Sequence, residues 1–294
     1  MGLPHVTLDL RERFRAGVVD DFLAEHRAGR TPNPCVRCNG QVRFDAMLAL
    51  ASVLGAARLA TGHYARVERD ADGPLLRAGA DAAKDQAYML ARLAPDELER
   101  LDFPLGTLEK PRVRELARRA GLPVADRAES QDLCFLAGMG KERFLERSGP
   151  GRPGPLLDSD GRELGRHDGQ ERFTVGQRRG IRLPAAEPLY VLAKEPGGRV
   201  WVGPRGALAT TRVALRDAML HRPGARIDAV KLRYRSRAVA CRVAGDPAAG
   251  AHPELVLDLE DAVDGVAPGQ TACLLCEDRV VGVATIARGP ARGR

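Results

Sequence analysis

The sequence predicts an α/β domain, then a small central domain, then an all-β C-terminal domain. Strand and helix patterns alternate through the first half of the 294 residues, which is typical of an α/β sheet. A run rich in proline and glycine, SGPGRPGPLLD, then marks a domain boundary. Beyond it, short apolar runs recur between turns, as in a small barrel or sandwich. The predicted domains span residues 1–148, 149–208 and 209–290.

In the first domain, hydrophobic periodicity and turn residues define the predicted elements. Residues 3–8 alternate as a short strand, and residues 9–27 form an amphipathic helix that Gly29 ends. The segment RTPNPCVRCNG is predicted to be a turn-rich loop, and ARLATG a strand. Further helices are predicted at 41–54, 94–101 and 111–120.

In the second half, strand patterns replace helical ones. The segment LYVLAKEPGGRVWVG predicts a β-hairpin with a Pro-Gly-Gly loop. From residue 209 onward, three segments are predicted as strands: AVKLRYRSRAVACRVA, PELVLDLE and QTACLLCEDRVVGVATI.

Composition narrows the class of protein. The net charge of +7 favours polyanionic partners, nucleic acid first. No apolar run approaches ~18 residues and the N-terminus has no secretory pattern, so we expect a cytoplasmic protein with no membrane span. The six cysteines are then predicted to be reduced thiols. No Gly-rich phosphate-binding motif occurs in the sequence.

The segment Cys35-x-x-Cys38 is the sharpest local motif. Two thiols at this spacing can share a metal ion or form a disulfide. Arg30 and Arg37 flank them, and nearby positive charge favours the reactive thiolate.

The other cysteines carry weaker local signals. Cys134 stands alone after polar residues, and by itself it is better read as an inert buried thiol than as a nucleophile or a metal ligand. Cys273 and Cys276 have the Cys-x-x-Cys spacing but lie in a strand, where residues three apart point to opposite faces. These two and Cys241 are predicted to pack in the core.

Two further features favour ligand binding. Gly62 and His63 follow a predicted strand, and ligands of α/β sheets bind beyond the carboxyl ends of strands; a plain surface turn fits His63 as well. In the predicted strand KLRYRSR, four cations alternate with other residues and would line one face against a phosphate backbone. They are Lys231, Arg233, Arg235 and Arg237.

Several segments together resemble one known family, the tRNA-specific 2-thiouridylases. They run in order through nearly the whole chain: RAGRTPNPCVRCN, LATGHYARV, KDQAYML, FPLGTLEKPRVRELARRAGLPVADRAESQDLCFL, LGRHDGQERFTVGQRRGI, KLRYRS and APGQTACL. The resemblance implies a PP-loop ATP pyrophosphatase domain, a central domain and a C-terminal β-barrel. It also implies a sulfurtransferase that converts the wobble uridine of tRNA to 2-thiouridine, with ATP adenylating the 2-oxygen.

The resemblance also implies roles for individual residues. In the persulfide scheme, Cys134 would carry the sulfur. Cys38 would be the nucleophile that completes release, and the two would end as a disulfide. The implied partners are tRNA and a sulfur-donor protein or a sulfide source. Gly62 would contact ATP. The implied tRNA contacts are Asn33, Pro34, Cys35, His63, Lys84, Asp85, Gln86, Arg233, Tyr234 and Gln270.

Two features depart from the family pattern. Many members have aspartate where this chain has Cys35, so Cys35, Cys38 and Cys134 could together hold a 4Fe–4S cluster with one iron open to sulfide. The sequence supports this scheme and the persulfide scheme equally. The family also begins with the loop SGGVDSS, whose amides cradle ATP pyrophosphate. Nothing here matches that loop, so the sequence predicts a truncated domain or an internal start, weak or absent ATP binding and an incompletely covered sheet edge.

Two alternatives to the enzyme stay open from the sequence. One is a non-catalytic tRNA-binding protein that lacks ATP binding, which an in-frame SGGVDSS upstream of Met1 would argue against. The other is a thiol-disulfide or Fe–S redox protein that uses Cys35 and Cys38. It is the weakest of the three, because this Cys-x-x-Cys is not predicted to open a helix after a strand.

Overall fold

The computed structural model describes residues 2–127, 133–136, 138–149 and 151–289. Its strands form three sheets with two, eight and four members. The strands are β1 (Leu59–Ala60), β2 (Ala65–Asp70), β3 (Gly73–Ala78), β4 (Leu101–Asp102), β5 (Gly154–Leu157), β6 (Glu163–His167), β7 (Tyr190–Lys194), β8 (Val200–Gly203), β9 (Ala209–Leu220), β10 (Ala229–Lys231), β11 (Val239–Val243), β12 (Gly250–Asp264), β13 (Thr271–Cys276) and β14 (Arg279–Ile286).

Two long helices precede β1, and each contains one π-helical turn. Helix α1 comprises Arg11–Phe14, the π segment Arg15–Val19 and Asp20–Arg27. Helix α2 comprises Pro34–Cys38, the π segment Asn39–Arg43 and Phe44–Val53. The shorter helices are α3 (Ala87–Leu90), α4 (Pro95–Leu98), α5 (Lys110–Arg119) and α6 (Lys141–Arg147), with 3₁₀ turns at Cys134–Leu136, Gln170–Arg172, Arg205–Leu208 and Gly224–Arg226. Among the described residues, none of these helices combines the length and apolar character needed to cross a bilayer.

Helices α1 and α2 pack against each other through their π segments. Gly17 lies so close to the partner helix that an added Cβ would stand 2.9 Å from Cγ2 of Val42. Val18, Cys38 and Val42 form a small buried cluster there, with Phe14 packed against it. Single π turns occur often at functional sites, and here both of them adjoin Cys38.

Two predictions for the N-terminal region are wrong. Residues 3–8 form no strand, and Leu3 and Val6 are exposed; no strand among the described residues pairs with this segment to complete its hydrogen bonds. The Cys-x-x-Cys segment is helical rather than a loop. Asn33 caps the helix by accepting a 3.3 Å hydrogen bond from the Val36 amide, and Pro34 occupies the first turn.

The α/β core of the first domain is smaller than the alternation of patterns predicted. Strands β1 and β4 pair in parallel as a two-stranded sheet, with Leu59 opposite Leu101. The helix predicted at 94–101 ends at Leu98, and the residues after it supply β4. The helices predicted at 9–27, 41–54 and 111–120 are confirmed.

The C-terminal region is a closed six-stranded barrel of β9 to β14, as the strand spacing predicted. The sheet closes because β13 pairs with both β10 and β14. The β2–β3 hairpin extends this sheet, since β3 pairs with β14. One core is therefore shared: Tyr88 and Leu76 from the first region pack with Cys273 and Val283 of the barrel. The hairpin predicted in the central region is confirmed as β7–β8.

The long strand predicted across residues 229–244 is instead β10 and β11, separated by a turn. The Ser236 amide donates to the Arg233 carbonyl at 3.2 Å, and the Ser236 hydroxyl donates to the same oxygen at 3.0 Å. The four alternating cations therefore do not line one strand face, and that prediction is wrong. Lys231 ends β10 and pairs with Asp85 at 3.6 Å.

Candidate active site

One cavity of about 700 Å³ lies where α2, the end of β1 and the turn after β10 meet. Its wall contains residues from widely separated parts of the sequence. Ten of the thirteen site residues predicted from the sequence line it: Asn33, Pro34, Cys35, Cys38, Gly62, His63, Lys84, Gln86, Cys134 and Tyr234. The structure therefore brings together segments that the sequence related only through the family resemblance.

Helix α2 presents two of the three cavity thiols. Cys35 and Cys38 are three residues apart on one helix, so their side chains share a face. Cys38 is 7% exposed, whereas Cys35 is half-buried. The helical start at Pro34 thus decides that both sulfurs point to the same side.

The third thiol, Cys134, comes from the 3₁₀ turn Cys134–Leu136 and is exposed. Its neighbour Phe135 anchors this turn on α1: the Phe135 ring centroid lies 6.0 Å from that of Phe14 and 5.3 Å from that of Phe22. Local sequence favoured a buried, inert thiol here, and the exposure of Cys134 corrects that reading. Packing of an adjacent aromatic ring, rather than any cysteine motif, delivers Cys134 to the cavity.

The electrostatics of the α2 thiols differ from the prediction. Burial raises the pKa of Cys35, and the negative charges of Cys134 and Cys38 raise it further, while Arg43 lowers it. Burial also raises the pKa of Cys38, and Arg43 again opposes the shift. The sequence analysis predicted that Arg30 and Arg37 favour the thiolates, and this prediction is wrong. The cation that lowers both pKa values is Arg43.

Arg30 and Arg37 are occupied elsewhere. Arg30 donates from Nε to Glu25 at 2.7 Å. Arg37 donates from Nε to the Gly17 carbonyl at 2.6 Å and lies 3.4 Å from Asp21. Arg43 was missed because the sequence predicted Cys38 in a loop and Arg43 in the helix after it, so no shared helix related the two. The π turn Asn39–Arg43, with its i→i+5 hydrogen bond, returns Arg43 to the cavity.

His63 lies on the cavity wall as a neutral imidazole. Burial, and after it the charge of Arg43, lowers the pKa of His63 to about 4. Its Nδ1 lies 2.9 Å from the Thr61 hydroxyl, and its ring packs 5.6 Å from that of Phe44. The side chain is therefore held in place and uncharged at neutral pH.

The segment Lys84–Gln86 meets the cavity through two of its three residues. Gln86 Oε1 accepts a 2.9 Å hydrogen bond from the Tyr64 amide, which fixes the backbone beside His63. Lys84 lines the cavity. Asp85 is outside the cavity lining and accepts 3.0 Å hydrogen bonds from the Gly79 and Ala87 amides. Its carboxylate holds the segment in shape.

Three predicted residues come from the barrel, and two of them make internal contacts. Gln270 Nε2 donates to the Thr31 carbonyl at 2.6 Å and so holds the segment that leads into α2. Arg233 donates to the Gly265 carbonyl, outside the cavity. Tyr234 lines the cavity beside Arg235, whose guanidinium lies 5.6 Å from the Tyr234 ring centroid. The sequence reading did not place Arg235 at the site.

The donor set for a 4Fe–4S cluster is not assembled. Within the described ranges, no group of three or more His, Cys, Asp or Glu side chains is arranged to hold a metal ion. Cys35, Cys38 and Cys134 share the cavity but do not form such a group. The cluster therefore stays a prediction from the sequence, and no chemistry is derived through it.

Comparison with known proteins places this site in a family. Three family models match successive parts of the chain: the tRNA methyl transferase HUP domain over residues 1–138, the tRNA methyl transferase PRC-barrel domain over 142–204 and the aminomethyltransferase beta-barrel domain over 221–286. The chain is 45% identical over 303 residues to the tRNA-specific 2-thiouridylase MnmA of Rhodospirillum centenum, an alignment that covers 98% of this chain and 76% of the relative. The chain belongs to the tRNA-specific 2-thiouridylase family.

A second relative supports the same membership. The tRNA-specific 2-thiouridylase MnmA of Acidothermus cellulolyticus is 42% identical over 298 residues, with 98% of this chain and 80% of the relative covered. The fold class predicted from the sequence is confirmed, since the HUP, PRC-barrel and β-barrel models follow each other in the predicted order. The ATP and tRNA roles of individual residues stay predictions.

Proposed function

We propose that the chain is a tRNA-uridine 2-sulfurtransferase that forms 2-thiouridine in tRNA through Cys134 and Cys38. The observation that carries the proposal is the shared cavity. Cys38 and Cys134 are roughly a hundred positions apart in the sequence, and both line it. The names of the relatives supply the reaction class. The domain boundaries at 148 and 208 belong to the proposal, and they bracket the β5–β8 sheet.

In the proposed transfer, the Cys134 thiolate attacks the sulfane sulfur of a persulfide on a donor protein, and the donor cysteine leaves as a thiolate. Cys134 suits this step because it is exposed, whereas Cys38 is buried. The terminal persulfide sulfur then attacks C2 of the uracil, and the activated 2-oxygen leaves. ATP supplies that activation by converting the oxygen into a leaving group, and Gly62 is the cavity residue proposed to lie against the nucleotide.

Cys38 completes the transfer as the second nucleophile. Its thiolate attacks Cys134 Sγ, the bond between Cys134 and the transferred sulfur breaks, and that sulfur stays on C2. A Cys38–Cys134 disulfide remains. The sulfane sulfur has been reduced by two electrons, and the two thiols supply those electrons when they form the disulfide. Arg43 is the cation placed to favour the Cys38 thiolate.

The cavity rim suits a tRNA. Lys84, Lys110, Arg43 and Arg235 all line the cavity, and such a set of cations attracts phosphates. Lys110 lies 5.2 Å from the Tyr64 ring centroid. The neutral His63 can meet an uncharged base without placing a second charge beside Arg43. We propose Asn33, Pro34 and Cys35 as the segment that faces the target base.

The described cysteines agree with a reducing compartment, since all six are free thiols. We therefore propose the cytoplasm as the location.

The proposal is tested by following sulfur onto the chain. A cysteine desulfurase with radiolabelled cysteine should label wild-type chain at Cys134, and Cys38→Ser should hold the label longer because the second nucleophile is gone. Cys134→Ser should lose the label. Addition of tRNA and ATP should move it to 2-thiouridine only when both thiols are present, measured by nucleoside mass spectrometry.

Cys276→Ser is the matched control, because Cys276 lies on β13 outside the cavity. It should label and transfer as wild type does. Label retained by Cys134→Ser, or thiouridine formed at the wild-type rate by Cys38→Ser, would contradict the proposed mechanism.

A further inference from the structure

Cys35 takes part in no bond-making step of the proposed transfer, which places it only beside the target base. Yet Cys35 has both other cavity thiols as neighbours, since the charges of Cys134 and of Cys38 each act on it. It also shares a helix with Cys38, which the sequence pattern did not predict. A third thiol in this position has a redox consequence.

The start of α2 places Cys35 and Cys38 within reach of a disulfide. In an α-helix with a 1.5 Å rise and a 2.3 Å radius, Cα atoms three residues apart are about 5 Å from each other. Disulfides span Cα separations of roughly 4.4 to 6.8 Å. Cys35 lies in the first turn of this helix, where its own amide has no helical acceptor, so a small adjustment at Cys35 breaks few hydrogen bonds.

On the basis of the proposed function, we propose that Cys35 is a resolving thiol that returns Cys134 to the reduced state after each transfer. The Cys35 thiolate attacks Cys38 Sγ in the Cys38–Cys134 disulfide. A Cys35–Cys38 bond forms, the Cys38–Cys134 bond breaks, and Cys134 leaves as a thiolate that takes a proton from water. No net oxidation or reduction occurs in this exchange.

After the exchange the disulfide lies within helix α2, between Cys35 and Cys38. Cys134 is again a free thiol that can accept another sulfane sulfur. The Cys35–Cys38 disulfide is afterwards reduced by a cellular dithiol, the same class of reductant that a Cys38–Cys134 disulfide requires. Cys38 is 7% exposed and therefore shielded, while Cys35 is half-buried and presents the sulfur that a reductant meets first. The division between a more exposed first cysteine and a buried second one suits this order.

Without a resolving role, Cys35 is only a small side chain in the wall of the cavity. The two readings differ in which disulfide accumulates when the chain is oxidised in the absence of tRNA and ATP. A resolving thiol makes Cys35–Cys38 the final product. If Cys35 takes no part in the exchange, the Cys38–Cys134 disulfide is the final product and Cys35 stays a free thiol.

The test is disulfide mapping of the 294-residue chain during oxidation with limiting diamide at about pH 8, with acid quenching, thiol blocking and peptide mass spectrometry. Diamide should react first at the exposed Cys134, so the Cys38–Cys134 bridge should appear early and decay. The Cys35–Cys38 bridge should then exceed it by at least about fivefold, with Cys134 recovered as a blocked thiol.

Variants separate the inference from the function on which it rests. Cys35→Ser and Cys35→Ala should both stop at the Cys38–Cys134 bridge, and Cys276→Ser should give the wild-type map. A stable Cys38–Cys134 or Cys35–Cys134 bridge in wild type would overturn the resolving role alone. Absence of the Cys38–Cys134 bridge in both Cys35 variants, with circular dichroism like that of wild type, would overturn the proposed transfer as well.

Discussion

The chain contains two Cys-x-x-Cys segments that differ in every property that matters for chemistry. Cys35 and Cys38 lie on the first turn of α2, share a helix face and line the cavity. Cys273 and Cys276 lie on β13, where residues three apart point to opposite sides of the sheet. Cys273 is 1% exposed, and burial raises its pKa to about 12. Spacing alone therefore does not make a thiol pair; the secondary structure beneath it does.

The sharpest break between the two segments should appear in alkylation. With a pKa of about 12, only roughly one Cys273 in ten thousand is ionised at pH 8, and the side chain is also inaccessible. We expect iodoacetamide to modify the exposed Cys134 at least about a thousandfold faster than Cys273 in the native chain. Peptide-resolved mass spectrometry measures both rates in one sample.

The control for that comparison is the unfolded chain, in which the two cysteines should react at similar rates. Native rates within tenfold of each other would show that β13 does not protect its thiol as the structure indicates.

The comparison can be sharpened through stability. Cys273→Ser places a hydroxyl in the core that the first region and the barrel share, and should lower the free energy of unfolding by about 1–3 kcal/mol. Cys35→Ser, at a half-buried cavity position, should change it by no more than about 0.5 kcal/mol. Urea unfolding monitored by circular dichroism measures both values. Equal losses in the two variants would mean that Cys35 is also a core residue.

The smallest expected effect concerns Arg43. Its positive charge lowers the pKa of Cys38 against the effect of burial, so Arg43→Gln should raise that pKa. Because Arg43 is exposed and screened by water, we expect a small effect, roughly a threefold slower alkylation of Cys38 near pH 7.5. The rates should converge at high pH, where both variants are ionised.

Arg30→Gln and Arg37→Gln are the matched controls, since both guanidinium groups are paired away from the thiols. Arg43→Lys should preserve most of the effect. If Arg37→Gln slowed the alkylation of Cys38 as much as Arg43→Gln, the sequence prediction that Arg37 favours the thiolate would be correct after all.

Much of the fold could be predicted from the sequence because the responsible forces are local. Helical periodicity located α1 and α5, and period-two alternation with a Pro-Gly-Gly turn located the β7–β8 hairpin. The same alternation assigned Cys241 and Cys273 to packed strands, where they are 2% and 1% exposed. The errors at residues 3–8 and at the turn after β10 arose where a pattern had no partner strand, or where Ser236 offered a competing turn.

The candidate site divides in the same way. The sequence by itself determined that Cys35 and Cys38 are neighbours, and that the barrel strands carry inert thiols. The family resemblance implied that Cys134 joins them, but only the tertiary structure shows how, through the packing of Phe135 on α1. It also decided that Arg43 rather than Arg37 lines the cavity, through a π turn. The physical reason is range: hydrogen-bonding propensity and periodicity act over a few residues, whereas the meeting of Cys38 and Cys134 depends on contacts between segments roughly a hundred residues apart.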